Sequence, residues 1–268
     1  MKKIIFVCCL FCCFYFLDAN AQGNKFSQSL NDVKKILLNE VFFDNKKTLY
    51  CNATFDKNKN IIKSKGFKLP NLSKVNFYVY EIDEQKLNYK ARRMEWEHIV
   101  PAQNFGKTFN EWQFGDKDCV SNKGKRFKGR GCAEQENEEF RYMYADMYNL
   151  YPSIGAVNYL RSNFNFTQFG KNENIEKIFG ECDLKIYANK VEPRDGVKGI
   201  IARTYFYMED VYPRYKIAKK MRRLLKEWMI KYPVSKKECQ RAARIEDIQG
   251  NENKFIKNPC LEKGWYNK

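Results

Sequence analysis

Apolar residues recur at helical spacing over residues 26–41, where Leu30, Val33, Ile36, Leu37 and Val41 share a face. The spacing predicts a core-packing helix with its lysines on the solvated side. Residues 45–64 are polar and rich in Lys and Asn, which predicts a loop or weak hairpin around Cys51. Residues 75–82 alternate about Phe77, Val79 and Tyr80 and predict a strand. A second strand is expected over 89–100, ended by Pro101, which cannot donate to a ladder. In that strand Met94, Trp96, His98 and Val100 share one face, and Glu95, Glu97 and Ile99 the other. If Glu97 and His98 serve one centre, the strand is expected to end, bulge or twist between them. Residues 107–135 show little periodicity, and from Lys117 to Arg130 six Lys and Arg side chains lie among the segment's four glycines, which marks a long loop with a function. Order resumes over 138–151. Ile154, Val157 and Leu160 predict a helix over 152–163, capped by Ser153 and carrying Asn158. Further helices are expected over 200–211, 217–229 and 236–248, the last ending near Gly250. No repeat or Pro/Ser-rich linker interrupts the chain, so the expectation is one helix-rich α+β domain, a mixed α/β fold.

Composition sets the compartment. Lys2 and Lys3 precede an apolar run over 4–17, and Ala19-Asn20-Ala21 offers a cleavage site, the order of a signal peptide cut after Ala21. The run is shorter than the roughly 20 residues of a membrane span, and no later segment approaches that length. Stable membrane insertion is therefore not expected. Cys12 and Cys13 lack the small residues that lipidation needs before them, so export followed by release to the periplasm or medium is the reading. Cleavage removes Cys8, Cys9, Cys12 and Cys13 and leaves six cysteines, none in a C-x-x-C pair. Three disulfides follow for an exported chain, with Cys119–Cys132 the most local pairing. The net charge of +17 suits a polyanionic partner: nucleic acid, anionic lipid or acidic polysaccharide. A generally lysine-rich proteome would give the same excess, so charge alone does not choose.

His98 is the only histidine in 268 residues. Cutting a phosphodiester needs a base for the attacking water, a cation opposite the developing charge and care of the leaving oxygen. His98 has the intrinsic range for the first task. With no second histidine and the cysteines expected to be oxidised, a zinc site of His and Cys ligands is not expected. A metal would rest on oxygen from Glu97, Asp146 or Asn158, which suits magnesium, calcium or manganese. Each residue also has a plainer reading. His98 fits a hydrogen-bonded strand position, Glu97 a surface carboxylate, Asn158 a solvent-facing helix position, and the basic loop a solvated surface.

Together they are specific. Glu95-Trp96-Glu97-His98-Ile99-Val100-Pro101-Ala102, with Phe105-Gly106 after it, resembles the signature of bacterial endonuclease I. The resemblance continues through Asp146-Met147-Tyr148-Asn149-Leu150-Tyr151-Pro152, Ile154-Gly155-Ala156-Val157-Asn158 and Arg161-Ser162-Asn163-Phe164. It extends to Ile201–Met208 and to Ile248-Gln249-Gly250-Asn251, and so spans most of the chain. It implies a disulfide-stabilised fold with a ββα-metal (His-Me finger) motif and a sequence-nonspecific endonuclease leaving 5′-phosphate ends. DNA would be the substrate and RNA a further one. In the implied site His98 is the general base, while Glu97 and Asn158 hold one divalent cation, commonly Mg2+ (Ca2+ or Mn2+ otherwise). Asn149, in the second strand, orients the histidine or a neighbouring loop. Arg130 stabilises the scissile phosphate or the cleaved product, with Lys128 or Arg126 able to take that part. No small-molecule cofactor is implied, and a monomer is expected. The competing reading is a non-catalytic secreted binder of nucleic acid or another polyanion on the same scaffold. The early Cys-x-Cys pair of the family is absent, since Asn52-Ala53 follows Cys51.

Overall fold

The computed structural model describes residues 22–77, 83–170 and 172–266. The leader expected over 1–21 lies outside them, as does the 78–82 part of the strand expected over 75–82. Its described part, 75–77, is not extended into a strand.

The first helix, α1 (Leu30–Ile36), starts four residues later than its apolar pattern, because Ser29 caps it by accepting from the Asp32 N–H. A π-turn over Leu37–Val41 carries it on, and Leu30, Val33, Leu37 and Val41 are all buried. The expected weak hairpin is present as β1 (Thr54–Phe55) and β2 (Ile61–Lys63). The strand expected over 89–100 is shorter, since α2 (Glu84–Ala91), capped by Asp83, takes its first residues. What remains is β3 (Met94–His98). Short helices α3 (Ala102–Gly106), α4 (Asn110–Gln113), α5 (Arg130–Glu136) and α6 (Glu138–Tyr144) follow, so the loop expected over 107–135 is partly helical at both ends.

β4 (Leu150–Ile154) pairs antiparallel with β3, His98 opposite Leu150 and Met94 opposite Ile154. The helix expected over 152–163 therefore starts late. Pro152 and Ser153 belong to the strand, and Ser153 caps nothing; α7 spans Gly155–Arg161. A two-stranded sheet tolerates Pro152 because one edge of each strand needs no partner in the ladder. Gly155 is required where it stands, since a Cβ there would come within 2.8 Å of the Lys90 carbonyl and 3.0 Å of Glu95. β3, β4 and α7 together form the ββα unit. Asn149 lies just before β4, at the end of a 3-10 turn, and not inside the strand.

A second small sheet contains β5 (Asn165–Phe166), β6 (Leu184–Tyr187) and β7 (Lys190–Pro193), with β7 in the middle. The three long helices foreseen from periodicity are α8 (Asp195–Val211), α9 (Lys219–Lys231) and α10 (Lys236–Gln249). Gly250, at φ 80°, ends α10 in the left-handed conformation that glycine adopts at least cost. Twelve of the 17 residues of α8 are buried, which makes it the spine of the core. Its Arg203 forms a bidentate pair with Glu238 of α10, both bonds 2.7 Å. A last helix, α11 (Lys254–Glu262), had no counterpart among the expected elements, and Pro259 inside it breaks the usual pattern. Disulfides join Cys119 to Cys132 as expected, Cys51 to Cys182, and Cys239 of α10 to Cys260 of α11. No helix among the described residues is long and apolar enough to cross a membrane.

Candidate active site

All five residues of β3 line one cleft of about 570 Å³, together with residues of α1, α2, α5 and α7. Consecutive strand residues reach one cleft only along a strand edge, and β3 has β4 as its sole strand partner; its other edge is bonded only at its start, where the Met94 N–H donates to the Lys59 carbonyl at 2.7 Å. The strand accordingly stays regular through Glu97 and His98. The break or bulge expected between them is absent.

His98 sits half-buried against α6. Its Nε2 lies 2.8 Å from the Tyr144 carbonyl oxygen, and its ring stacks on the Tyr144 ring at 4.6 Å between centroids. A carbonyl only accepts, so the proton resides on Nε2 and Nδ1 keeps its lone pair. Burial pushes the imidazole pKa down to about 3. Arg130, Lys34 and Arg161 add to the depression and the Tyr144 carbonyl opposes it. The ring is thus neutral at ordinary pH, with its Nδ1 lone pair unprotonated.

The opposite face of β3 meets α7. Asn158 and Arg161, one helical turn apart, meet Glu95 and Glu97, two strand residues apart. Asn158 Nδ2 donates to Glu95 Oε2 at 3.2 Å. A carboxylate cannot donate, which fixes the amide so that Oδ1 points elsewhere. Lys90 of α2 pairs with Glu95 in turn. Glu97 is buried, and both of its hydrogen-bonding partners among the described residues engage Oε1: the Tyr50 hydroxyl at 2.8 Å and Arg161 at 3.0 Å. Burial raises the Glu97 pKa, with Arg161 and Tyr50 pulling it back. Arg161, itself buried, also donates to the His98 and Ile99 carbonyls at 2.9 and 2.8 Å and stacks on Phe166. One guanidinium therefore ties the carboxylate, the histidine backbone and β5 together.

Asn149 is fully buried and touches the backbone rather than the imidazole. It accepts from the Val100 N–H at 2.8 Å and donates to the Val100 carbonyl at 3.0 Å. Of the three basic candidates beside Cys132, Arg130 lines the cleft, its guanidinium 5.7 Å from the Tyr144 ring. Arg126 instead bridges to Val120 within the loop. Asp146, weighed as a ligand, is buried away from the cleft. It accepts from Tyr207, Tyr212, Gln249 and the Tyr148 N–H and acts as a node of the core. Tyr50 and Arg161 were missed from sequence. For Arg161 a signal existed, an arginine three residues after Asn158 on the inner side of the helix; for Tyr50 there was none.

Lys34, Lys59, Lys90 and Arg130 bring positive charge to the cleft, which suits an anionic polymer. The oxygen donors Glu95, Glu97 and Asn158 line the same cleft and fit a hard divalent cation. A separate acidic group, Asp116, Asp118 and Glu136, lies outside this cleft, and Lys117 pairs with Asp118 there.

Known proteins resemble this chain over most of its length. A family model described as Endonuclease I matches residues 25–260. Endonuclease-1 of Buchnera aphidicola subsp. Baizongia pistaciae is 36% identical over 238 residues, 88% of this chain and 85% of that protein. An extracellular deoxyribonuclease of Aeromonas hydrophila is 34% identical over 227 residues, 83% of this chain and 87% of that protein. A periplasmic deoxyribonuclease of the same organism is 33% identical over 238 residues, 87% of each. With the β3–β4–α7 unit and its Glu97-His98 pair inside the matched span, the chain belongs to the endonuclease I family.

Proposed function

We propose that this endodeoxyribonuclease cuts the sugar–phosphate backbone without regard to sequence, with His98 as general base and Glu97 and Asn158 as ligands of one divalent cation. The observation that carries the reading is the tethered imidazole: its Nε2–H is held by the Tyr144 carbonyl, which leaves the Nδ1 lone pair unprotonated at a cationic cleft. Nδ1 takes a proton from water, and that water attacks phosphorus in line with the leaving 3′-oxygen. Arg130 binds the phosphate and offsets the charge it gains in the transition state. Asn149 fixes the Val100 backbone and Arg161 the His98 and Ile99 carbonyls, so the imidazole reacts from a held position. Glu95 holds the Asn158 amide with Oδ1 turned away from it, a partner of the kind that orients a metal ligand. When bound, magnesium or a similar ion supplies positive charge opposite the phosphate and the leaving oxygen. Lysines around the cleft grip the backbone, which gives affinity with little base discrimination.

Plasmid nicking by the oxidised protein tests this, with magnesium, with EDTA, and with His98→Gln. Cleavage that needs metal and falls by about 10²–10⁴ in the variant supports it; binding without cleavage under all three conditions overturns it. Running single-stranded RNA beside the plasmid decides whether RNA is a second substrate. The relatives named extracellular and periplasmic fit removal of residues 1–21 and a nuclease domain over 22–268. Mass spectrometry of the exported protein checks cleavage after Ala21, and gel filtration checks that it is a monomer.

A further inference from the structure

The surface around α9 is built at a cost that folding does not explain. Residues 216–237 hold nine Lys and Arg and, as their one acidic residue, Glu227, which is nearly half of the chain's net +17. Eight of the nine are exposed, and none of the eight has a carboxylate within ion-pair distance among the described residues; Arg222, the ninth, pairs with Glu209. Arg222 apart, this surface makes no ion pair among the described residues of the kind that Lys257 makes with Glu246 and Glu252, or Arg244 with Asp44.

Three features of α9 work against the helix. Its first turn carries Lys219 and Lys220 and no acid, so cations stand at the positive end of the helix dipole. Its N-cap, Ala218, makes no side-chain hydrogen bond. Like charges also face each other four residues apart, Lys219 with Arg223 and Arg222 with Lys226, which is unfavourable. The helix is held from below, by Leu225 and Trp228 buried in the core. Its outward stripe of Lys219, Arg223 and Lys226 follows i, i+4, i+7 spacing and spans roughly 10 Å. One strand of a duplex presents one phosphate charge per about 3.4 Å of axis, so the stripe spans roughly three of them, one for each cation.

We propose that the exposed face of α9 is a second nucleic-acid-binding surface, outside the catalytic cleft, that holds long substrates by their phosphates. It shares no residue with the cleft lining. The link to the cleft is structural: Trp228 meets Phe166, and Phe166 carries the Arg161 guanidinium. A lipid surface fits less well. A helix lying on a membrane turns its apolar sector to the acyl chains, whereas here that sector is spent on the core and Ile230 is the one large apolar side chain on the outward face. The proposal rests on DNA being the substrate.

The test is the triple variant Lys219→Ala/Arg223→Ala/Lys226→Ala, whose side chains are removed from solvent-facing positions. Binding of duplexes of about 10 and about 40 base pairs is measured in EDTA between 50 and 200 mM salt. Losing three phosphate contacts lowers the slope of log K against log salt by about 2.7 on the long duplex, so that wild type loses about 40-fold more affinity than the variant over that range. On the short duplex the two proteins behave alike, and kcat with magnesium is unchanged. An unchanged slope on the long duplex overturns the proposal, as does an equal loss on both lengths. Loss of binding to phosphatidylglycerol vesicles with the duplex slope intact overturns it in favour of a lipid. Absence of cleavage by wild type would defeat the catalytic reading and leave the slope to judge α9 separately.

Discussion

The single histidine makes the electrostatics of the site directly measurable. In the folded protein the His98 pKa is depressed from 6.5 to about 3, chiefly by burial. Unfolded, the imidazole titrates near its ordinary value. Below pH 6.5 the unfolded chain therefore binds a proton that the folded chain refuses, and stability falls as pH falls. The slope is about 1.4 kcal/mol per pH unit, continuing to about pH 3. A shift of this size corresponds to about 5 kcal/mol, and water reaching the ring from the cleft trims this to about 3–5 kcal/mol. Glu97 and Asp146 also titrate in acid, with raised pKa values that favour the folded state as they protonate. The comparison that isolates His98 is thus wild type against His98→Gln, whose amide N–H still reaches the Tyr144 carbonyl. Urea unfolding at successive pH values between 7 and 4 should show wild type losing stability faster than the variant. The one imidazole resonance pair in an NMR titration should stay neutral across the same range. A folded-state midpoint near 6.5, or parallel stability curves, would refute the argument and with it the neutral, tethered base.

Other consequences concern the residues around it. Arg161→Met leaves Glu97 buried without its cation and should cost about 3–5 kcal/mol in urea unfolding; a loss below about 1 kcal/mol would mean the pair is solvated. Glu95→Ala should weaken Mn2+ binding, measured by calorimetry without DNA, by about 10–100-fold, while Glu95→Gln, which can still accept from Asn158, keeps most of it. Equal losses in the two variants would mean that the charge of Glu95, and not its hydrogen bond, matters. Opening the Cys119–Cys132 link with a double serine variant frees a loop of 13 residues and should cost about 3 kcal/mol. Because Arg130 starts the helix that this link anchors, KM for DNA should also rise; an unchanged KM would argue against Arg130 as the phosphate contact.

Long periodic segments were legible from sequence, and short or edge-dependent ones were not. α8, α9 and α10 answer the helices expected over 200–211, 217–229 and 236–248, with α8 beginning earlier, at Asp195. β5, β6 and β7 are two to four residues each, too short for alternation to register. Ser153 read as a helix cap because Ile154, Val157 and Leu160 fit a helical period. Pairing with β3 instead draws Pro152–Ile154 into a strand, a tertiary choice that local pattern does not encode. The resemblance pointed to Glu97, His98, Asn149, Asn158 and Arg130 by motif. Four of the five line the cleft, and Asn149 clamps the backbone beside it. Tyr50 reaches Glu97 from 47 residues upstream, and nothing near it in sequence announces that contact.

The adjacency of Glu97 and His98 looked like a contradiction, because neighbours in a strand point to opposite faces. The contradiction assumed a strand inside a sheet, where the two faces belong to different layers. β3 is an edge, and its two faces are walls of the same cleft: α7 packs on the Glu95 and Glu97 side, while α6 meets His98 through Tyr144. The regular alternation is then what separates the two jobs. Oxygen donors face the helix that brings Asn158, and the imidazole faces a carbonyl that fixes its tautomer. A bulge between them would bring Glu97 and His98 to one side and turn the carboxylate away from α7 and its Arg161. The register that keeps them apart is set beyond the strand, by Asn149 gripping both polar groups of Val100 and by Pro101 turning the chain into α3.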